Sequence, residues 1–216
     1  MANSELIGEM HRHRLVAVVR SKSSDEALAV SEAVVDGGVR FVEITLTVPG
    51  AIGVIETLAK LRNVFVGAGT VLSKEAAENA IAAGARFIVS PTLELNQIPI
   101  CHHAGVACIS GAASPTEILS AVRAGADLVK IFPADCLGGP TFVRQMLGPF
   151  PEARFMVSGG VHQDNVKEYV EIGVIGIVLG SAFLSNRWSQ GGHDGLVQDV
   201  RHFVKLVGEA HGGLSP

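Results

Sequence analysis

The stretch Ala124-Gly125-Ala126-Asp127-Leu128-Val129-Lys130-Ile131-Phe132-Pro133 decides how this chain is read. Gly125 follows an amphipathic segment, at the point where a helix C-terminus favours a left-handed residue. An apolar run begins at once. In a strand alternate side chains share a face, so Lys130 lies with Leu128 and Phe132 while Val129 and Ile131 point the other way. Both faces are apolar, as in a parallel strand buried on two sides. An ammonium in such a run loses hydration, which favours the neutral amine, the form a Schiff-base nucleophile needs. The competing reading is a lysine that snorkels from a strand end or pairs with a carboxylate. The other lysines (Lys22, Lys60, Lys74, Lys167 and Lys205) lie in no such run.

The same junction recurs along the chain, as Asp36-Gly37-Gly38-Val39, Ala83-Gly84-Ala85-Arg86, Ala104-Gly105-Val106-Ala107 and Ile172-Gly173-Val174-Ile175. A spacing of roughly 20–25 residues is one strand plus one helix. The pattern predicts strands at 15–20, 41–47, 64–70, 86–91, 106–111, 127–133, 154–160 and 175–181. It predicts helices at about 24–36, 51–61, 74–83, 94–104, 115–124, 141–147, 164–172 and 194–209. Ser114-Pro115 places an N-cap before a proline at the first helical position, and Ser73-Lys74-Glu75 is similar without the proline. Strict alternation implies a parallel sheet, and eight units favour a TIM (β/α)8 barrel. Residues 1–14 are expected to form an N-terminal capping segment, 15–209 the barrel and 210–216 a tail, with no second domain.

Composition narrows the function. The 216 residues are 48% hydrophobic with a net charge of −4, and their basic residues are scattered. That argues against nucleic acid and against a polybasic membrane patch. No apolar stretch reaches transmembrane length, and the start Met1-Ala2-Asn3-Ser4-Glu5 lacks signal-peptide character. Three cysteines without a CxxC fit a reducing cytoplasm. His102 and His103 are adjacent on a predicted helix and diverge, and no HExxH or Cys/His cluster suggests a metal.

In a TIM barrel the chemistry sits at the C-terminal ends of the strands. Those ends hold Arg20, Glu43 with Thr45 and Thr47, Thr70, Pro91, Ser110, Lys130 with Phe132, Ser158-Gly159-Gly160 and Gly180-Ser181. In Phe41-Val42-Glu43-Ile44-Thr45-Leu46-Thr47, alternation puts Glu43, Thr45 and Thr47 on one face and aliphatics on the other. Glu43 is therefore expected inside the barrel, where burial raises a carboxyl's pKa and suits it to acid and base roles. The competing reading is an internal salt bridge to Lys130 or Arg20. The glycines ending strands seven and eight suit a phosphate site, or two tight turns and nothing more.

With these residues in view, the chain resembles the class I aldolases that cleave 2-keto-3-deoxy-6-phosphogluconate (KDPG), with their relatives acting on 4-hydroxy-2-oxoglutarate and 2-keto-3-deoxy-6-phosphogalactonate. The resemblance runs from about Leu15 to Leu184. Its motifs are Val16-Ala17-Val18-Val19-Arg20, Val42-Glu43-Ile44-Thr45-Leu46-Thr47, Gly67-Ala68-Gly69-Thr70-Val71, Val89-Ser90-Pro91, Val129-Lys130-Ile131-Phe132-Pro133-Ala134, Gly148-Pro149-Phe150-Pro151 and Ser158-Gly159-Gly160-Val161. It implies a homotrimer of TIM barrels with no metal or other cofactor. It implies that Lys130 forms the Schiff base with a keto-acid substrate and that Glu43 shuttles protons. Thr70 and Pro91 match positions beside the pyruvyl group, and Gly159, Gly160, Gly180 and Ser181 match the phosphate loops. Three positions depart from the pattern. Thr47 stands where many members carry a carboxylate-binding arginine, which leaves Arg20 as the remaining cation. Ser158 replaces a threonine, and Ser110 replaces a proline before Gly111. A phosphosugar isomerase or synthase, or a barrel that binds without catalysis, are the rival readings.

Overall fold

The computed structural model describes residues 3–210 and 212. Eight parallel strands close in sequence order: β1 (Leu15–Val19), β2 (Phe41–Thr45), β3 (Phe65–Gly69), β4 (Phe87–Val89), β5 (Ala107–Ala112), β6 (Leu128–Ile131), β7 (Phe155–Val157) and β8 (Gly176–Leu179), with β8 pairing back to β1. Helices α2 (Ser24–Asp36), α3 (Ala51–Leu58), α4 (Lys74–Ala82), α5 (Gln97–His103), α6 (Pro115–Arg123), α7 (Pro140–Leu147), α8 (Val166–Ile172) and α9 (Ser181–Ala210) follow them in turn. This is the TIM barrel that the alternation predicts. Each quoted junction carries a left-handed glycine, at Gly38, Gly84, Gly105, Gly125 and Gly173. Ser23, Ser73 and Ser114 cap α2, α4 and α6, each accepting a backbone N–H from three residues on.

Two apolar layers result from the strand alternation. Val42, Ile44, Val129 and Ile131 face outward into the core beneath the helices. Val16, Phe41, Phe87, Ile109, Leu128 and Met156 fill the lower barrel interior. The helix α1 (Asn3–His13) adds Leu6, Ile7 and Met10 to that inner cluster. Phe41 stacks on Phe65 at 4.7 Å between ring centroids. Phe87 reaches over β3, where a Cβ on Gly67 would come within 2.4 Å of its ring.

The elements differ from the sequence reading mainly at the upper ends of the strands. β2 stops at Thr45 because the Val48 amide bonds back to the Thr45 carbonyl at 3.0 Å and closes a turn. β6, β7 and β8 likewise stop short of Phe132, Ser158 and Gly180, which line the barrel mouth. Residues 94–96 form a turn rather than the start of α5, since the Gln97 amide bonds to the Glu94 carbonyl. The largest difference is α9, which is helical from Ser181 and breaks at Gly192 (φ 58°, ψ −151°). Its two halves pack on each other through Phe183 and Phe203, 5.2 Å apart, and through Arg187 and Asp199 at 3.3 Å. Of the expected tail, only Ala210 and Gly212 lie among the described residues. Among those residues no helix is long and apolar enough to cross a membrane.

Candidate active site

The upper barrel holds a cavity of about 660 Å³. Lys130 enters it from β6 and Glu43 from β2, on opposite sides of the barrel. The Lys130 Nζ lies 3.5 Å from Glu43 Oε1, and the two residues are 5% and 1% exposed. Glycines make this meeting possible. Glu43 is in register with Gly67 and Lys130 with Gly111. A Cβ on Gly69 would sit 2.0 Å from Glu43 Oε1, so the carboxylate occupies the space a side chain there would need. Burial raises the pKa of the Glu43 carboxyl, and it outweighs the opposing pull of Lys130 and Arg20. Glu43 Oε2 is buried and has no hydrogen-bond partner among the described residues. A carboxyl with one oxygen on an amine and the other unpaired can take up and return a proton at that second oxygen.

Around the pair, Arg20, Thr70, Pro91, Phe132 and Ser158 also line the cavity. Arg20 lies just beyond β1 and donates from Nη2 to Thr70 Oγ1 at 3.3 Å. Thr70 holds a left-handed backbone at φ 56°, which few non-glycine residues adopt. Phe132 is 38% exposed, with the Lys130 Nζ 5.7 Å from its ring centroid. At the other end of the cavity are Gly159, Gly160, Gly180 and Ser181. Gly159 and Gly160 have φ values of 101° and 65°, and Asp135 packs against both so closely that a Cβ on either would meet it. Ser181 opens α9 and lines the cavity with Ala182 and Phe183, so the first turn of a helix, whose backbone N–H groups lack helical partners, borders it. Such ends suit an oxyanion.

Thr47 is one of two exceptions among the residues singled out from the sequence. It sits on the exposed turn after β2, outside the cavity lining, and its hydroxyl bonds to Thr45 at 2.9 Å. Strand alternation no longer governs it once the chain turns at Thr45. Ser110 also lies away from the cavity: it is buried, its hydroxyl has no hydrogen-bond partner among the described residues, and it stands next to Gly111 in β5. Sequence reasoning left Thr45 without a role, although its position two residues after Glu43 carried the signal. It missed Ala182 and Phe183 because the helix starting at Ser181 was not recognised. The Leu184 and Trp188 pair, four residues apart, is the helical spacing that could have found it.

The fold and cavity define a (β/α)8 barrel with a buried lysine–glutamate pair at its mouth. The family model "Aldolase: KDPG and KHG aldolase" matches residues 6–199. A 2-dehydro-3-deoxy-phosphogluconate aldolase of Treponema pallidum is 38% identical over 162 residues, which are 74% of this chain and 77% of that protein. A solved structure described as "Native KDPGal structure" superposes with a TM-score of 0.81 at 31% identity, covering 91% of this chain and 95% of the other. A KDPG aldolase from Legionella pneumophila, solved with pyruvate captured as a covalent carbinolamine, gives a TM-score of 0.76 at 27% identity over 93% of this chain and 95% of its own. The chain belongs to the KDPG and KHG aldolase family.

Proposed function

We propose that this chain catalyses the reversible aldol cleavage of 2-keto-3-deoxy-6-phosphogluconate to pyruvate and glyceraldehyde 3-phosphate through a Schiff base on Lys130. The observation that carries this is the buried Lys130–Glu43 pair, 3.5 Å apart inside the barrel mouth. Membership of the family and the covalent pyruvate adduct of the Legionella relative support it.

The neutral amine of Lys130 attacks the C2 ketone, and the carbinolamine takes up a proton from solvent and loses water to leave an iminium. The Glu43 carboxylate removes the proton of the C4 hydroxyl. The C3–C4 bond breaks, its electron pair passes to the iminium as an enamine, and the aldehyde departs. Glu43, now protonated, returns its proton to the enamine carbon, which restores the iminium, and water then releases pyruvate, the free amine and the proton taken up at the start. One group can serve in both directions because burial lifts its pKa toward neutrality. Arg20 and Thr70, joined by their 3.3 Å contact, are assigned to the substrate carboxylate. Pro91 and Phe132 flank the pyruvyl group, and the Ser158 hydroxyl faces the substrate chain. Gly159, Gly160, Gly180 and Ser181 receive the phosphate. Thr47, outside the cavity, is assigned no substrate contact.

The galactonate epimer is the second reading, favoured by the likeness to the KDPGal structure. A comparison of kcat/KM for the two phosphorylated keto acids and for 4-hydroxy-2-oxoglutarate separates the alternatives. The family resemblance supports a homotrimer, and the free thiols Cys101, Cys108 and Cys136 support a cytoplasmic setting. The test of the mechanism is borohydride trapping with pyruvate. One pyruvyl mass should map to the peptide carrying Lys130, and labelling of another lysine, or of none, refutes the mechanism.

A further inference from the structure

Arg20 lies one residue beyond the end of β1 and is exposed. The structure places a buried hydroxyl against the peptide that carries it. Thr45, 1% exposed and lining the cavity, donates from Oγ1 to the Val19 carbonyl at 3.2 Å. A peptide unit is planar, so fixing the Val19 oxygen fixes the orientation of the amide that enters Arg20. Thr45 has a single hydroxyl proton, and Val19 takes it. In the 2.9 Å contact between Thr45 Oγ1 and Thr47 Oγ1, Thr47 is therefore the donor. The result is a directed chain from Thr47 through Thr45 to Val19, which ends at the backbone of Arg20. Arg20 then reaches Thr70, just beyond the end of β3. Ser185 on α9 donates from Oγ to the Arg20 carbonyl at 3.5 Å.

We propose that Thr45 is a positioning residue for Arg20: its hydroxyl, oriented by Thr47, holds the end of β1 so that the guanidinium meets the carboxylate of the keto acid. The proposal rests on the reading of Arg20 as the carboxylate-binding cation. Thr45 touches neither reacting atoms nor carboxylate in this scheme. It acts in binding and leaves the proton chemistry of Glu43 untouched.

The experiment follows pyruvate C3 proton exchange by NMR in the full chain, with KM and kcat measured separately. Thr45→Val should raise KM for pyruvate by about tenfold, the upper range for one lost neutral hydrogen bond, with kcat nearly unchanged. Thr45→Ser keeps the hydroxyl and should restore KM. Arg20→Leu should raise KM by itself, and adding Thr45→Val to it should cause no further rise, because residues acting through one another are not additive. Thr47→Val removes only the exposed donor and should raise KM by about twofold, again with no effect in the Arg20→Leu background. That variant carries the test if Thr45→Val does not fold. Additive effects of Thr45→Val and Arg20→Leu, a fall in kcat instead of a rise in KM, or failure of Thr45→Ser to rescue each overturns the positioning role and leaves the aldolase reading standing. A wild-type KM in Arg20→Leu overturns both the positioning role and the carboxylate assignment. Borohydride labelling of Lys130 in the same variants reports on the Schiff base separately.

Discussion

Glu43 and Lys130 take their chemistry from where they meet. A carboxyl buried to 1% exposure beside an amine is costly to keep charged, and its pKa rises accordingly. Removing the substrate hydroxyl proton requires the carboxylate form. The cleavage rate should therefore fall as pH is lowered through a pKa lying above the ordinary carboxylate range. A pH profile of kcat checks this, and an acid limb at the ordinary carboxylate value would mean that another group takes the proton. Glu43→Gln should lower cleavage and pyruvate exchange together, by about a hundred- to ten-thousand-fold, while borohydride labelling of Lys130 persists. The phosphate assignment is best tested at Gly180. A Cβ there meets nothing within 4 Å, in contrast to Gly160, where it would strike Asp135 in a left-handed backbone. Gly180→Val should weaken binding of phosphorylated substrate and spare pyruvate exchange. Equal loss in both assays would show that the glycine serves the fold alone.

At the scale of single elements, short strands and capped helices set where each side chain emerges. β3 works by omission: Gly67 yields its space to the Phe87 ring and Gly69 yields its own to Glu43. Gly67→Ala should cost about 1–3 kcal/mol, because a buried ring cannot retreat from an added methyl in a packed interior. Chemical denaturation measures this. The helix starts are more tolerant. Ser114 accepts the Glu117 amide and donates to the Glu117 carboxylate, which also accepts the Ala113 amide, a reciprocal cap at the head of α6. Ser114→Ala should lower stability by about 1 kcal/mol without changing KM or kcat. These caps were legible in the sequence because they depend on neighbours three residues apart. The true end of β2 was not, since it depends on a turn bond from Val48 to Thr45 that the alternating pattern hides.

Across the whole molecule, the closed barrel brings residues far apart in the chain to one mouth, and a family trimer would set three such mouths in one particle. Native mass spectrometry should find three times the chain mass, and a monomer would refute the trimer. The sequence by itself determined the eight βα units, the glycine junctions between them, the inward placement of Glu43 and the burial of Lys130 in a strand apolar on both faces. All of these follow from local periodicity and backbone preference, which act over a few residues. It also marked Arg20, Thr70 and Ser158 as polar residues at strand ends. Only the tertiary structure decided that Glu43 and Lys130 lie 3.5 Å apart, because that distance depends on barrel closure and on glycines in strands that neither residue belongs to. It alone took Thr47 out of the cavity and set Thr45 against Val19, since the turn that separates the two threonines is fixed by hydrogen bonds between strand ends. It also opened a helix at Ser181, whose first turn lines the cavity because the chain enters α9 directly after β8 and Gly180.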